Sequence, residues 1–289
     1  MGRLDGEVAI VTGASRGLGR AIARAFAAEG AAVAVVARTE QVWDQRLPGT
    51  IGETVAQIEA DGGRAVAVRA DLLDPADPAR LVQAARDALG PVTLLVNNAA
   101  FTAPGRPPRD GAGTAPPPAP AVAADIAKAD WPAFLGTRRS AFERHFRIAV
   151  FAAYELMQLA AAEMIRTGHG SIVNITSGAS RMPGDGPYAD RSEGILPGYG
   201  GSKAALEHLT QCAAFELQEH GIAVNALSPS KAIITPGVQY YSRRFDDVGS
   251  SDDFAEAAVR LSLVDAGTVT GRTIGHLEVL DGSFRPWAT

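Results

Sequence analysis

Cysteine is almost absent from this chain: Cys212 is the single thiol in 289 residues. One thiol excludes an internal disulfide framework and points to a reducing, cytoplasmic compartment. It falls in the apolar series Leu206, Leu209, Ala213 and Phe215, which predicts a buried, packed side chain. A surplus of either charge is missing too. The 27 basic and 32 acidic residues leave a net charge of −5, which argues against a nucleic-acid footprint. His145, His169, His208, His220 and His276 are scattered without ligand spacing and argue against a metal site. No charged-then-apolar leader opens the chain, and no run approaches the roughly 18 apolar residues of a bilayer span, so no membrane association is expected. No internal repeat is visible.

What is present is a large apolar fraction, 46% of the residues, enough for one α/β domain spanning 1–289. Apolar runs alternate with longer helical patterns, the mark of a doubly wound parallel sheet. Strands are expected near 7–12, 31–37, 64–70, 92–96, 170–176, 221–227 and 273–280, about seven in all. Helices are expected near 17–29, 50–61, 75–89, 140–166, 199–219 and 253–264. Strands covered on both faces read as continuous apolar runs, as Ala31 to Val36 does. Thr50 and Glu53 have capping-box spacing and predict a helix start.

Three segments are long for connections, which typically run roughly 2–6 residues in α/β units. The first is Thr39 to Gly49. The second, within 101–139, carries Pro104, Pro107, Pro108, Pro116, Pro117, Pro118 and Pro120. Proline removes donors and blocks helix, so 101–122 reads as a surface insertion. The third, 178–198, separates Ser177 from Tyr199 and reads as a lid or a substrate wall.

The chemistry-bearing pattern begins where Val8 to Thr12 runs into Gly13-Ala14-Ser15-Arg16-Gly17-Leu18-Gly19 and a helix-like stretch follows. Glycines let backbone approach an anion, and a helix start offers free N–H groups and a positive dipole end. The turn therefore reads as a phosphate cradle, although a strand-end turn alone would look the same. Downstream come Asn97-Asn98-Ala99, then a strand from Gly170 ending in Thr176-Ser177, then Tyr199-Gly200-Gly201-Ser202-Lys203. In this order, T-G-x-x-x-G-x-G, N-N-A, serine strand and Y-x-x-x-K resemble the short-chain dehydrogenase/reductase family over about Gly6 to Gly282. The resemblance implies a Rossmann-type α/β fold and an oxidoreductase that moves a hydride between a nicotinamide cofactor and a small carbonyl or alcohol. It also implies a homo-oligomer, dimer or tetramer, built on the helices near 140–166 and 199–219. The series Phe142, Phe146, Ala149, Ala153, Leu156 and Ala160 would supply that interface, or else pack on the sheet.

By the same resemblance Gly13, Ser15, Gly17, Leu18 and Gly19 surround the pyrophosphate and adenosine ribose. Asp71 and Leu72 receive the adenine, with a helix cap before Pro75 as the alternative for Asp71. Asn98 and Ala99 pass under the ribose. Enzymes using NAD place an acid near the end of the second strand to hold the 2′-hydroxyl. Here Ala37 is followed by Arg38, with a second cation at Arg16, and guanidinium groups match phosphate geometry. NADP(H) is therefore expected over NAD(H).

Tyr199 matches the family's acid/base, and Lys203, four residues on, shares its helix face. The lysine, together with the positive nicotinamide, is expected to favour the phenolate, and also to hold the ribose hydroxyls. Tyr188 is the nearby rival, but Ser192 stands where its lysine would be. Ser177 matches the serine that bonds the substrate oxygen, with Thr176 and Ser180 as geometric substitutes. Two positions depart from the family pattern. Ala149 stands where many members carry an asparagine that supports a water-linked proton relay. Either water passes beside its methyl group, or the alanine reflects a helix bend in which asparagine would clash. Pro229-Ser230 replaces the usual proline-glycine, which leaves the carboxamide partner, Ile233 backbone, less firmly aligned. Tyr188, Tyr240, Tyr241 and Phe245 suggest an aromatic wall for an apolar substrate. The competing reading is a cofactor-binding sensor or scaffold that kept the fold and lost the chemistry, favoured by Ala149 and opposed by Ser177, Tyr199 and Lys203.

Overall fold

The computed structural model describes residues 2–101, 134, 137–182, 184–186, 197–241 and 247–287. Most of the proline-rich insertion and part of the 178–198 segment lie outside the described residues. Seven parallel strands form one sheet: β1 (Val8–Thr12), β2 (Ala32–Ala37), β3 (Arg64–Arg69), β4 (Leu94–Asn97), β5 (Gly170–Ile175), β6 (Ile222–Ser228) and β9 (Thr273–Gly275). Their order is β3-β2-β1-β4-β5-β6-β9, so the winding reverses between β1 and β4. A short parallel pair, β7 (Ala232–Ile233) with β8 (Val248–Gly249), stands apart.

Alternation along β1 shows why its run is apolar. Ala9 and Val11 join the core on one face, with Ile22 and Phe26 of α1 (Gly17–Ala28), Ile58 of α2 (Ile51–Ala60) and Phe254 of α8 (Ser251–Ser262). Val8 and Ile10 face the other way, onto Leu81 of α3 (Asp77–Leu89), Leu156 and Met157 of α5 (Ala153–Thr167), and Ala214 of α6 (Pro197–Leu217). Each face of β1 is covered by helices, so its positions are apolar up to Thr12, whose hydroxyl donates to Val96 O at 3.2 Å. Phe26 is sealed from solvent, and its truncation to alanine would cost about 3–5 kcal/mol.

The helix expected over 140–166 begins as α4 (Arg139–Phe146), widens into a π-helical turn at Arg147–Ala152, and continues as α5. Its 29 residues have the length and hydropathy of a bilayer span, which the sequence reading did not anticipate. Most of its apolar window (61%) is buried inside the fold, as in a core helix. Thr50 and Glu53 form the expected capping box: Thr50 Oγ1 accepts from Glu53 N at 3.0 Å, and the Glu53 carboxylate accepts from Thr50 N at 3.2 Å. The strand expected over 273–280 stops at Gly275, and α9 (His276–Leu280) replaces its second half. Only three residues of β9 pair with β6, so the edge offers little to hold a longer strand. Cys212 is exposed, contrary to expectation: α6 turns Leu206, Thr210, Ala214 and Leu217 inward and leaves Phe215 at 90% exposure.

Candidate active site

The carboxyl ends of β1 and β4, flanking the point where the strand order reverses, build the first half of the site. Gly13 (φ 68°) and Gly17 (φ 56°) take left-handed backbone. A Cβ on Gly13 would lie 2.9 Å from Ala99 Cα, and one on Gly19 would lie 2.4 Å from Asn98 Nδ2, so neither position admits a side chain. The turn is braced from β4. Asn98 N and Ala99 N donate to Thr12 Oγ1 at 3.0 and 3.1 Å, and Asn98 Nδ2 donates to Thr12 O at 2.8 Å. Asn98 thus holds the glycine turn with its side chain, and Thr12, which the sequence reading passed over, is the hub. Ser15 is buried, with its carbonyl accepting from Arg20 at 2.6 Å, and Leu18 packs into the core.

Arg16 reaches from this turn to the end of β2. Its guanidinium donates to Thr39 Oγ1 at 3.1 Å and to Gly49 O at 3.3 Å, which ties down the long 39–49 connection. Burial, then the neighbouring charge of Arg38, lower its pKa, and its Nε is buried without a partner among the described residues. A cavity of about 270 Å³ opens beside Arg38, bordered by Leu73, Phe101, Ser140, Arg144 and Arg147. Asp71 Oδ1 accepts from Leu73 N at 3.2 Å and its own N–H donates to Asp77 at 2.6 Å, so it shapes the turn ahead of α3 without capping that helix. Leu72 packs against the core beside it.

The second half forms at the end of β5. Ser177 caps the 3-10 turn Gly178–Ser180, accepting from Ala179 N at 3.3 Å. Helix α6 comes so close to this turn that a Cβ on Gly200 would meet Ala179 O at 2.4 Å. That approach brings Tyr199 into a hydrogen bond with Ser177 across 22 positions of sequence. Lys203 is buried at 2% exposure, its Nζ donating to Ile175 O at 2.6 Å and standing 5.7 Å from the centre of the Tyr199 ring. Burial lowers the lysine to about 8, opposed by Glu207 one turn on. Burial raises Tyr199, with the Ser177 bond opposing. Within the protein alone burial therefore favours the phenol; the sequence reading counted Lys203 together with the positive nicotinamide as what favours the phenolate. Thr176 is engaged by Glu207 at 2.5 Å, and Ser180 Oγ is buried without a partner among the described residues. Behind this loop the Trp287 ring packs on Gly178, with Arg181 5.3 Å above the ring.

The loop after β6 closes over the glycine turn. Thr235 would touch a Cβ on Gly17 at 3.2 Å, and Ile233 sits in β7 with its side chain buried. Ser230, in place of the family's glycine, is anchored on both sides: its N–H donates to His276 Nδ1 at 2.9 Å and its hydroxyl to Glu278 at 3.1 Å. Tyr188 and Phe245 lie outside the described residues, as do the side chains of Tyr240 and Tyr241.

Ala149 lies inside the π-helical turn, buried at 5% exposure. The gap it shares with Thr12, Leu72, Asn97, Ala153 and Leu206 is too narrow for a water molecule. One turn earlier stands His145, a residue the sequence reading set aside among scattered histidines. Its ring meets Tyr199 edge-on at 6.0 Å between centres and Phe101 at 5.1 Å. Its spacing of four from Ala149 was the available signal.

Comparisons with known proteins agree with this arrangement. The short chain dehydrogenase family profile matches residues 7–112 and 129–243. A 7alpha-hydroxysteroid dehydrogenase of Escherichia coli K12 is 32% identical over 282 residues, covering 94% of this chain and 93% of its own. An L-rhamnose 1-dehydrogenase (NAD(P)(+)) of a Sphingomonas species is 33% identical over 227 residues, covering 78% of this chain and 72% of its own. A solved 7α-hydroxysteroid dehydrogenase, complexed with NADH and 7-oxo glycochenodeoxycholic acid, superposes with a TM-score of 0.71 at 28% identity. It covers 94% of this chain and 93% of its own.

Proposed function

The chain belongs to the short-chain dehydrogenase/reductase family, and from that membership we propose that it is an NADP(H)-dependent oxidoreductase interconverting a ketone or aldehyde with its alcohol. The observation that carries the reading is the Ser177–Tyr199–Lys203 cluster: a phenol bonded to a serine at a strand end, with a buried lysine beside its ring.

The described residues fit a dinucleotide. The side-chain-free cradle at Gly13 and Gly19 leaves backbone at the surface, as a pyrophosphate requires. The orphaned Nε of Arg16, beside the charge of Arg38, fits a 2′-phosphate. Asp71, Leu72, Asn98 and Ala99 would border the adenosine, and Lys203 and the Ile233 backbone the nicotinamide end. The nicotinamide, when bound, supplies or accepts the hydride. Tyr199 O–H and Ser177 Oγ–H then donate to the carbonyl oxygen, and the tyrosine gives up its proton as the alkoxide forms. Below about pH 8 the Lys203 ammonium offsets the phenolate charge left behind.

The similar proteins are named for a hydroxysteroid and for a sugar, so the substrate is assigned as a class, small carbonyls and alcohols. The exposed, unpaired thiol of Cys212 suits a cytoplasmic setting. The test is NADPH and NADH consumption across a panel of steroid, sugar and aryl ketones. Turnover with NADPH preferred supports the assignment. Cofactor binding without turnover on any member favours the sensor reading.

A further inference from the structure

Two departures meet in space. Ser230 replaces the family's usual glycine after Pro229, and α9 replaces the second half of an expected strand. Ser230 N donates to His276 Nδ1 at 2.9 Å and Ser230 Oγ to Glu278 Oε2 at 3.1 Å, while Leu277 N donates to Ser230 Oγ at 3.3 Å. All three partners are consecutive residues at the start of α9. They have room only because residue 275 is glycine, where a Cβ would collide with Ser230 Oγ and the Glu278 carboxylate.

Ser230 opens the segment that covers the glycine turn. Thr235 lies against Gly17, and between the two Ile233 pairs with Gly249 in the β7–β8 ribbon. Two residues per strand are too few for such a ribbon to hold itself. Its ion pair, Lys231 Nζ with Asp247 at 3.0 Å, is exposed on both partners, where screening leaves it little strength. Ile233 buries its side chain in the core, and the polar hold comes from α9. The His276 ring is sealed at 1% exposure and packs near Phe254, with its Nε2 within 3.4 Å of where a Cβ on Gly249 would lie. One imidazole thus grips the start of the segment through Nδ1 and lies against β8 on its other side. We propose that His276 and Glu278 are positioning residues for the cofactor: they latch Ser230, hold the 230–235 segment over the glycine turn, and so slow release of the dinucleotide.

Because the latch acts on a bound dinucleotide, it rests on the cofactor reading, and the test must separate the two. Stopped-flow release of NADPH, followed by nicotinamide fluorescence, reads the latch, and amide hydrogen exchange of the cofactor-free protein reads the segment itself. His276→Phe keeps a ring near Phe254 and deletes the Nδ1 acceptor. NADPH should leave this variant about three- to tenfold faster than wild type, the worth of one hydrogen bond. NADH should be released faster by the same factor, because the glycine turn meets the part common to both cofactors. Residues 231–235 should exchange faster, and those of β2 at the wild-type rate. Glu278→Ala, at a half-buried side chain outside the core, should act in the same direction through the Ser230 hydroxyl. His276→Asn restores an acceptor near the Nδ1 position but leaves a cavity. It should therefore be less stable than His276→Phe yet release NADPH more slowly, the reverse of the order a purely structural role gives. Release from His276→Phe and Glu278→Ala within twofold of wild type overturns the latch and leaves the cofactor reading intact. A wild-type protein that binds neither NADPH nor NADH overturns the cofactor reading, and the latch with it.

Discussion

Two guanidinium groups brought together at the end of β2 repel each other, and burial already disfavours the charge on Arg16. An anion between them would remove both penalties, which is the residue-scale basis of the proposed cofactor preference. Arg38→Ala should weaken NADPH binding by about ten- to a hundredfold, on the order of 1.5–3 kcal/mol, and change NADH binding little. Fluorescence titration reads both, and equal losses for the two cofactors would contradict the assignment. At this scale the sequence was informative where a residue type is chemically unmistakable: glycines with no room for a Cβ, and a tyrosine whose ring stands beside the lysine four residues on. It was silent where environment decides. Nothing in the Y-x-x-x-K pattern tells that burial raises Tyr199, or that His145 leans on its ring from another helix.

Elements were legible where burial forces a period. β1 and β2 are covered on both faces and read as continuous apolar runs, while β5 and β6, covered likewise, carry the buried Asn174 and Asn225. On α6 the inward face was misread, because it includes Thr210. That hydroxyl accepts from Asn174 at 2.9 Å and donates to Leu206 O at 2.8 Å, closing a buried polar chain from Asn97 that hydropathy cannot show. The π-helical turn at Arg147–Ala152 was also unreadable, since its residues suit an α-helix equally well. It matters for Ala149, whose methyl group fills a closed gap. Ala149→Asn should overpack that turn, lowering stability by about 1–3 kcal/mol without raising turnover. Denaturant midpoints and steady-state rates check this. An asparagine variant that is as stable as wild type and faster would reopen the water passage beside position 149.

For the molecule as a whole, the seven-stranded sheet sets two loop systems at its carboxyl edge, and the long helices leave some apolar side chains exposed. Ala149, Ala153, Leu156 and Ala160, four of the six residues in the interface reading, are buried within the subunit. Phe151 (63% exposed) and Tyr154 (48%) on the long helix, and Phe215 on α6, remain outside. These would pair two copies, so light scattering should return twice the 30.0 kDa subunit or more, and Phe151→Ser with Phe215→Ser should return the subunit mass. A wild-type mass near 30.0 kDa would remove the proposal. The central claim, that the Ser177–Tyr199–Lys203 cluster moves a proton in step with a hydride, is tested most directly by Tyr199→Phe. Steady-state NADPH oxidation with an accepted ketone should fall by roughly 10²–10⁴-fold while NADPH affinity, titrated on the same preparation, stays within about twofold of wild type. A variant that keeps more than a tenth of wild-type turnover would contradict it.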